Sequence, residues 1–225
     1  MQPRRASREL ALLALFQWDQ SGESLLGTQD RMALDSVSLN RLLLAGVRVL
    51  VDLAKEKLET GADQIAAASR AILDMEFNHP DNLNRPLEAE VRAVRLPNTQ
   101  ETLQVLEQCL QGIEHVWEAL RIPELNLLTQ QEDVREYAIR LILATIKNQE
   151  AIDGIINEFS AEWRVDRLAR MDRTLLRLAI AELRYVRAAD ASVVINEAVE
   201  LSKQYSTEES YRFINGVLGQ VVANA

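Results

Sequence analysis

Catalysis needs groups that converge, and the single cysteine, Cys109, is the first candidate. It lies six residues before His115, which puts thiol and imidazole on opposite faces of a helix instead of in nucleophile–base contact. Glu76 and His79 form one Glu-x-x-His, but a carboxylate di-iron bundle takes two such pairs with two further glutamates, and Pro80 ends this helix. The glycines are scattered, and none opens a phosphate-cradling loop before Lys-Ser or Lys-Thr. The reading is therefore no enzyme, no cofactor and no metal. Binding chemistry is better represented. Arg212 and Phe213 stand side by side just after the start of the last helix, between Tyr211 and Asn215-Gly216. Backbone N–H groups in a first helical turn favour phosphate, and an adjacent ring is a platform for an unpaired base. Spacing alone leans to a plainer alternative, in which Phe213 is a peripheral core residue and Gly216 permits close helix packing.

The charge distribution bears on that choice. The net charge of −9 argues against nucleic acid as a partner of the chain as a whole. Yet residues 1–20 hold three arginines against two acids, and residues 161–225 hold nine basic and nine acidic residues, so all the excess acidity lies between. The two ends can meet an anion, and the middle would suit a basic protein. A lone cysteine forms no intrachain disulfide and fits a reducing cytoplasm. The short apolar run Leu10–Phe16 makes a poor signal peptide, and no stretch approaches the length of a membrane span.

Periodicity is helical almost throughout. Leu103, Leu106, Leu110, Ile113, Trp117 and Leu120 step by three and four behind an Asn98/Glu101 capping box. Ile152, Ile155, Ile156, Phe159 and Trp163 repeat such a stripe. Thr129 with Glu132 predicts a helix running to about Lys147, Ser38 predicts another over 39–58 closed by Gly61, and Ser206 with Glu209 predicts the last. "RELALLALFQW" is apolar on nearly every face, as in a helix at the centre of a bundle. Three of the five prolines fall in 78–100, an irregular excursion. Arg170, Arg173, Arg177, Arg184 and Arg187 share one strip of a helix, which reads as a charged face before it reads as an RNA track. The fold class is all-α, a helical bundle.

The stretch "VVINEAVELSKQYSTEESYRFINGVLGQVV" resembles the C-terminal signature of the NusB family of transcription antitermination factors. The resemblance rests on Ile195-Asn196-Glu197-Ala198, Glu200-Leu201, Lys203, Ser210, Phe213 and Asn215-Gly216-Val217-Leu218. "RMDRTLLRLAIAELRY" and "RRASRELALLALFQW" are similar to two further helices of the family, in the family's order. The match covers about 3–20 and 129–222, and residues of about 21–128 resemble an insertion relative to short members. It implies two small helical subdomains: 1–163 with the insertion, and 164–225. It also implies no catalysis and binding of single-stranded boxA-type RNA together with the ribosomal protein NusE, in a transcription elongation complex in the cytoplasm. Position by position, it assigns Arg4, Arg5, Arg8, Phe16, Glu209, Ser210 and Phe213 to RNA, and Asp166 and Asp172 to the basic partner. Ala6 and Ser7 thin the arginine cluster and Phe16 has no phenolic hydroxyl, which together imply weaker RNA binding alone and heavier reliance on the partner.

Two other readings stay open. NusB-like domains also precede RNA cytosine methyltransferases, but no Gly-rich cofactor loop or catalytic cysteine of an α/β domain follows here before Ala225. A non-catalytic protein-interaction scaffold would use the acidic insertion, and a homodimer is left open because helical bundles with exposed apolar edges often pair.

Overall fold

A computed structural model of the chain describes residues 2–21, 36–83, 86, 99–160 and 164–224. Among these, the secondary structure is helical, without a strand. In chain order the helices are α1 (Pro3–Ser21), α2 (Ser36–Phe77), α3 (Pro80–Leu83), α4 (Thr99–Leu128), α5 (Glu132–Lys147), α6 (Gln149–Phe159), α7 (Arg170–Ala181), α8 (Ala191–Tyr205) and α9 (Glu208–Ala223). A single 3-10 turn, Val165–Arg167, precedes α7, and a π turn, Glu182–Val186, follows it. The chain divides into two compact units, Met1–Leu50 with Glu124–Ala225, and Val51–Pro123. The subdomain boundary expected at 163/164 falls beside residues 161–163, outside the described set.

In the larger unit α1 is the central rod, as its all-round apolar sequence predicts. Leu10 to Leu15 are at most 4% exposed, and α1 packs on α5 and α7. Pro3 begins the helix, where a missing N–H costs nothing. Each fully buried leucine here is worth about 1.5–3 kcal/mol against leaving it in water. α7 packs on α5, α6, α8 and α9, so Leu175, Leu176, Ile180, Leu201, Ile214 and Leu218 join one core with α1. Gly46 of α2 lies against the α1 backbone, where an added Cβ would sit 3.1 Å from the Ala14 nitrogen.

The arginine strip of α7 is structural, in line with the plainer reading. Arg177 binds both oxygens of Asp153 at 2.7 and 2.8 Å, and both Arg173 and Arg177 pair with Asp19 of α1. Arg184 donates to the Val221 carbonyl, and Arg187 closes the π turn at φ 49°, a left-handed conformation that glycine usually supplies.

Two expected helix signals are read differently by the structure here. Gly61 does not stop α2, which continues to Phe77. In the smaller unit Gly61 instead meets α4: an added Cβ would lie 2.7 Å from the Gly112 carbonyl oxygen, and one on Gly112 would lie 2.7 Å from Ile65. Close helix approach offsets the propensity cost of both glycines. The Thr129/Glu132 box does not form either, since Gln131 is the N-cap and makes no side-chain cap. The helix end near Lys147 is as predicted. Asn98 lies outside the described residues.

The glycines make a paired prediction. Gly154 has nothing within 4 Å of an added Cβ, so Gly154→Ala should raise stability by about 0.5–1 kcal/mol through helix propensity. Gly61→Ala makes the same propensity gain but meets backbone, and should instead lower stability by about 1–3 kcal/mol. Urea unfolding followed by circular dichroism checks both signs.

Candidate nucleic-acid interface

The residues assigned to RNA and partner lie on α1, α7, α9 and the 3-10 turn, all within the larger unit. Two buried polar clusters determine which of them face outward.

The first cluster centres on Glu182, 1% exposed at the end of α7. Arg8 donates to both its oxygens, Nε at 2.8 Å and Nη2 at 2.6 Å, and the Tyr137 hydroxyl donates at 2.6 Å. A buried carboxylate is tolerated only when its lone pairs are met in this way. Burial opposes the charge on Arg8, but the hydrogen bond and charge of Glu182, with Tyr137 and Glu197, outweigh it and raise its pKa. Burial, then the hydrogen bond to Glu182 and its charge, pushes the Tyr137 phenol up to about 12, against the opposing pull of Arg8 and Arg4. The cluster fixes α1 against α5 and α7. Glu9, beside Arg8, accepts from Gln204 at 2.8 Å and from the Tyr205 hydroxyl at 2.5 Å, tying α1 to α8.

The second cluster holds the turn between α8 and α9. Asp172 in the first turn of α7 accepts from Ser206 Oγ at 2.6 Å and Ser210 Oγ at 2.9 Å. Ser206 therefore does not make the capping box expected with Glu209; its hydroxyl turns inward, and Thr207 is the N-cap without a side-chain cap. The turn is set by α7, an element some 35 residues earlier in the chain.

These clusters sort the assigned residues. The polar groups of Arg8, Ser210 and Asp172 are buried and hydrogen-bonded inside the protein. Arg4 is exposed, with its guanidinium carbon 3.9 Å from the Tyr137 ring centroid. Arg5 is half-buried, and its charge helps to lower the Glu200 pKa, after the hydrogen bond and charge of Lys203. Phe16 is half-buried under Arg170, at 5.7 Å. Glu209 is exposed, while Phe213 is half-buried at the edge of the core. Asp166 is exposed in the 3-10 turn and pairs with Arg164 at 3.2 Å. A hydrogen bond from its own backbone, then Arg164, lowers its pKa.

Residues that the resemblance did not assign to RNA extend this surface. Lys203 of α8 donates to Glu200 at 2.7 Å and stands 5.6 Å from the Tyr211 ring centroid, with Arg212 at 5.7 Å from the same ring. Arg5, Glu200, Lys203, Tyr211 and Arg212 thus form a line of neighbours from α1 across α8 to α9. The signal available in sequence was Lys203 eight residues before Tyr211, which becomes a contact only because the α8–α9 turn folds back. Gly216 is exposed with nothing within 4 Å of an added Cβ, so close helix packing is not its role.

Comparison with known proteins completes the picture. The model of the NusB family matches residues 98–223, more than half of the chain. The "Transcription antitermination protein NusB" of Gloeothece citriformis is 37% identical over 98% of this chain and 93% of its own length. That of Gloeobacter violaceus is 34% identical over 99% and 95%. A solved structure of T. maritima NusB is 26% identical, covering 71% of this chain and 90% of that one at a TM-score of 0.41. An all-helical protein that relatives of one kind match nearly end to end defines the class. The chain belongs to the NusB family. Those relatives align along nearly the whole chain, so the region of about 21–128 has counterparts in them.

Removing one partner of the buried pair isolates its role. Arg8→Met removes the ion-pair partner of buried Glu182 and two of its three hydrogen bonds, and should cost about 3–5 kcal/mol in urea unfolding. Tyr137 supplies a pH dependence. Its folded pKa is raised from 10.0 to about 12, so its stabilisation is complete below pH 10 and lost as pH rises through about 12. Spectrophotometric titration should show a phenol ionising near pH 12 that is missing in Tyr137→Phe.

Proposed function

We propose that this protein is a non-catalytic, RNA-binding transcription antitermination factor of the cytoplasm. It holds a boxA-type single strand together with the ribosomal protein NusE and so tethers them to elongating RNA polymerase. The observation that carries the reading is the line from the half-buried Arg5 on α1, through the exposed Lys203, to the half-buried Tyr211 and exposed Arg212 on α9, with exposed Arg4 beside Arg5, in a chain of the NusB family. Relatives bearing the name transcription antitermination protein NusB support it along nearly their full length.

In this reading Arg4, Arg5, Lys203 and Arg212 contact phosphates, which carry affinity but no sequence information. Phe16, Tyr211 and Phe213 offer ring faces and edges to bases, and Glu209 accepts hydrogen bonds from base edges. Arg8 and Ser210 act one layer below: Arg8 fixes the start of α1, and Ser210 with Asp172 fixes the start of α9. The exposed Asp166 meets the basic partner, and Asp172 supports that face from within. Gly216 leaves the outer side of α9 bare, so that a backbone can approach it closely.

Fluorescence anisotropy with a short boxA-like RNA, with and without NusE, tests the proposal. Arg4→Ala and Arg5→Ala should each weaken binding and lower the salt slope by about 1. Tyr211→Ala and Phe213→Ala should each cost about 1–3 kcal/mol in RNA affinity. Lysine substitutions outside this surface, such as Lys147→Ala, should change nothing. Failure of the purified pair to bind the RNA would refute the reading.

A further inference from the structure

The smaller unit carries an apolar surface that the RNA reading does not use. On α4, Leu103, Leu106, Leu110, Ile113, Trp117 and Leu120 are each 52–71% exposed. The sequence pattern that predicts a buried stripe is thus turned outward. What α4 sets against α2 is instead its row of small residues: Val105, Gly112 and Ala119 are buried, seven apart. On α2, Val51, Leu58, Ile65 and Ile72 repeat every seventh residue and are 39–53% exposed.

The two stripes share a face. At about 100° per residue, the α2 stripe is centred about 50° around the helix from Gly61, with Ile65 reaching the seam at Gly112, and the α4 stripe about 130° from Gly112. The helices are antiparallel, since Gly61 meets Gly112 while Lys57 pairs with Glu118. Rotations of the same sense on antiparallel helices point to the same side of the pair. The result is one two-helix sheet of large apolar side chains in coiled-coil spacing.

We propose that this face pairs with the same face of a second copy of the chain, closing an antiparallel four-helix bundle. Ten large apolar side chains, each about half exposed, present several hundred Å², on the scale of the ~800 Å² per partner that a specific interface buries. A patch of that size exceeds the scattered apolar exposure of ordinary monomers. Both stripes are of similar length and keep the seven-residue repeat, so a two-fold axis matches ridge to ridge without a remainder. Charge placement selects a second copy over a basic partner. Asp52, Glu56, Glu59 and Asp63 lie on α2 about 110–170° away from the stripe, and on α4 Glu107 and Glu114 border it. A surface made for a basic helix would carry its acids at the rim of the apolar face. This one keeps most of them on the back, where they stay in water in a dimer.

Sedimentation equilibrium of the full chain over roughly 1–100 µM tests the proposal. A dimer is expected. Leu110→Glu with Ile113→Glu should weaken it by about 100-fold or more, with helical circular dichroism retained because both side chains are exposed in the single chain. Asp63→Lys, on the acidic back, should leave the dimer intact. Trp117 emission, taken as the difference from Trp117→Phe, should shift to the red on dilution and in the Glu double variant. A monomer throughout, a dimer indifferent to the double variant, or a Trp117 shielded in a monomer would each overturn the proposal. None of these outcomes depends on RNA binding.

Discussion

The buried carboxylate of Glu182 is the constraint on which the larger unit depends. A charge at that depth is stable only with its hydrogen bonds made, and Arg8 and Tyr137 supply three of them from two other helices. The requirement sets the rotation of α1 about its own axis. Arg4 and Arg5, one turn earlier, share Arg8's side of the helix, and lie nearer the surface because they stand at the start of α1, short of the buried pair. One arginine of the cluster is thus structural, while Arg4 is exposed and Arg5 half-buried.

The same division of labour recurs at the other end of the surface. Asp172 draws Ser206 and Ser210 inward, and the α8–α9 turn that results leaves Glu209, Tyr211 and Arg212 on the outside or at its edge. An overall charge of −9 does not prevent such a surface from meeting phosphate. Screening limits the reach of exposed charges to about 8 Å at physiological salt, so local arrangement outweighs the total. The strip of arginines along α7 shows the converse: basic residues in quantity, yet satisfied by Asp19, Asp153 and backbone carbonyls.

The smaller unit is governed by steric closeness rather than by charge. Gly61 and Gly112 let α2 and α4 approach until backbone meets backbone, and the small residues occupy the seam. Ile65 and Val116 reach the seam, but the large apolar residues of the α4 stripe stand outside it on one exposed face. This is the reverse of a usual amphipathic helix, in which the largest apolar side chains fill the contact.

The sequence by itself determined that the protein is all-helical, that α1 is buried on every side, and that the chain resembles the NusB family. Periodicity and ordered motifs are local properties, and local properties are legible one segment at a time. Which polar residues face inward was not legible. Arg8 and Arg5 are alike in type and stand in one short motif, and only the presence of Glu182, 174 residues away, separates them. Gly61 read as a helix stop because propensity ignores what lies alongside, and the periodicity of the α4 stripe marked a helix face without saying whether that face is buried. Those choices belong to tertiary structure, since each is decided by a group far away in the chain that competes for the same hydrogen bond or the same space.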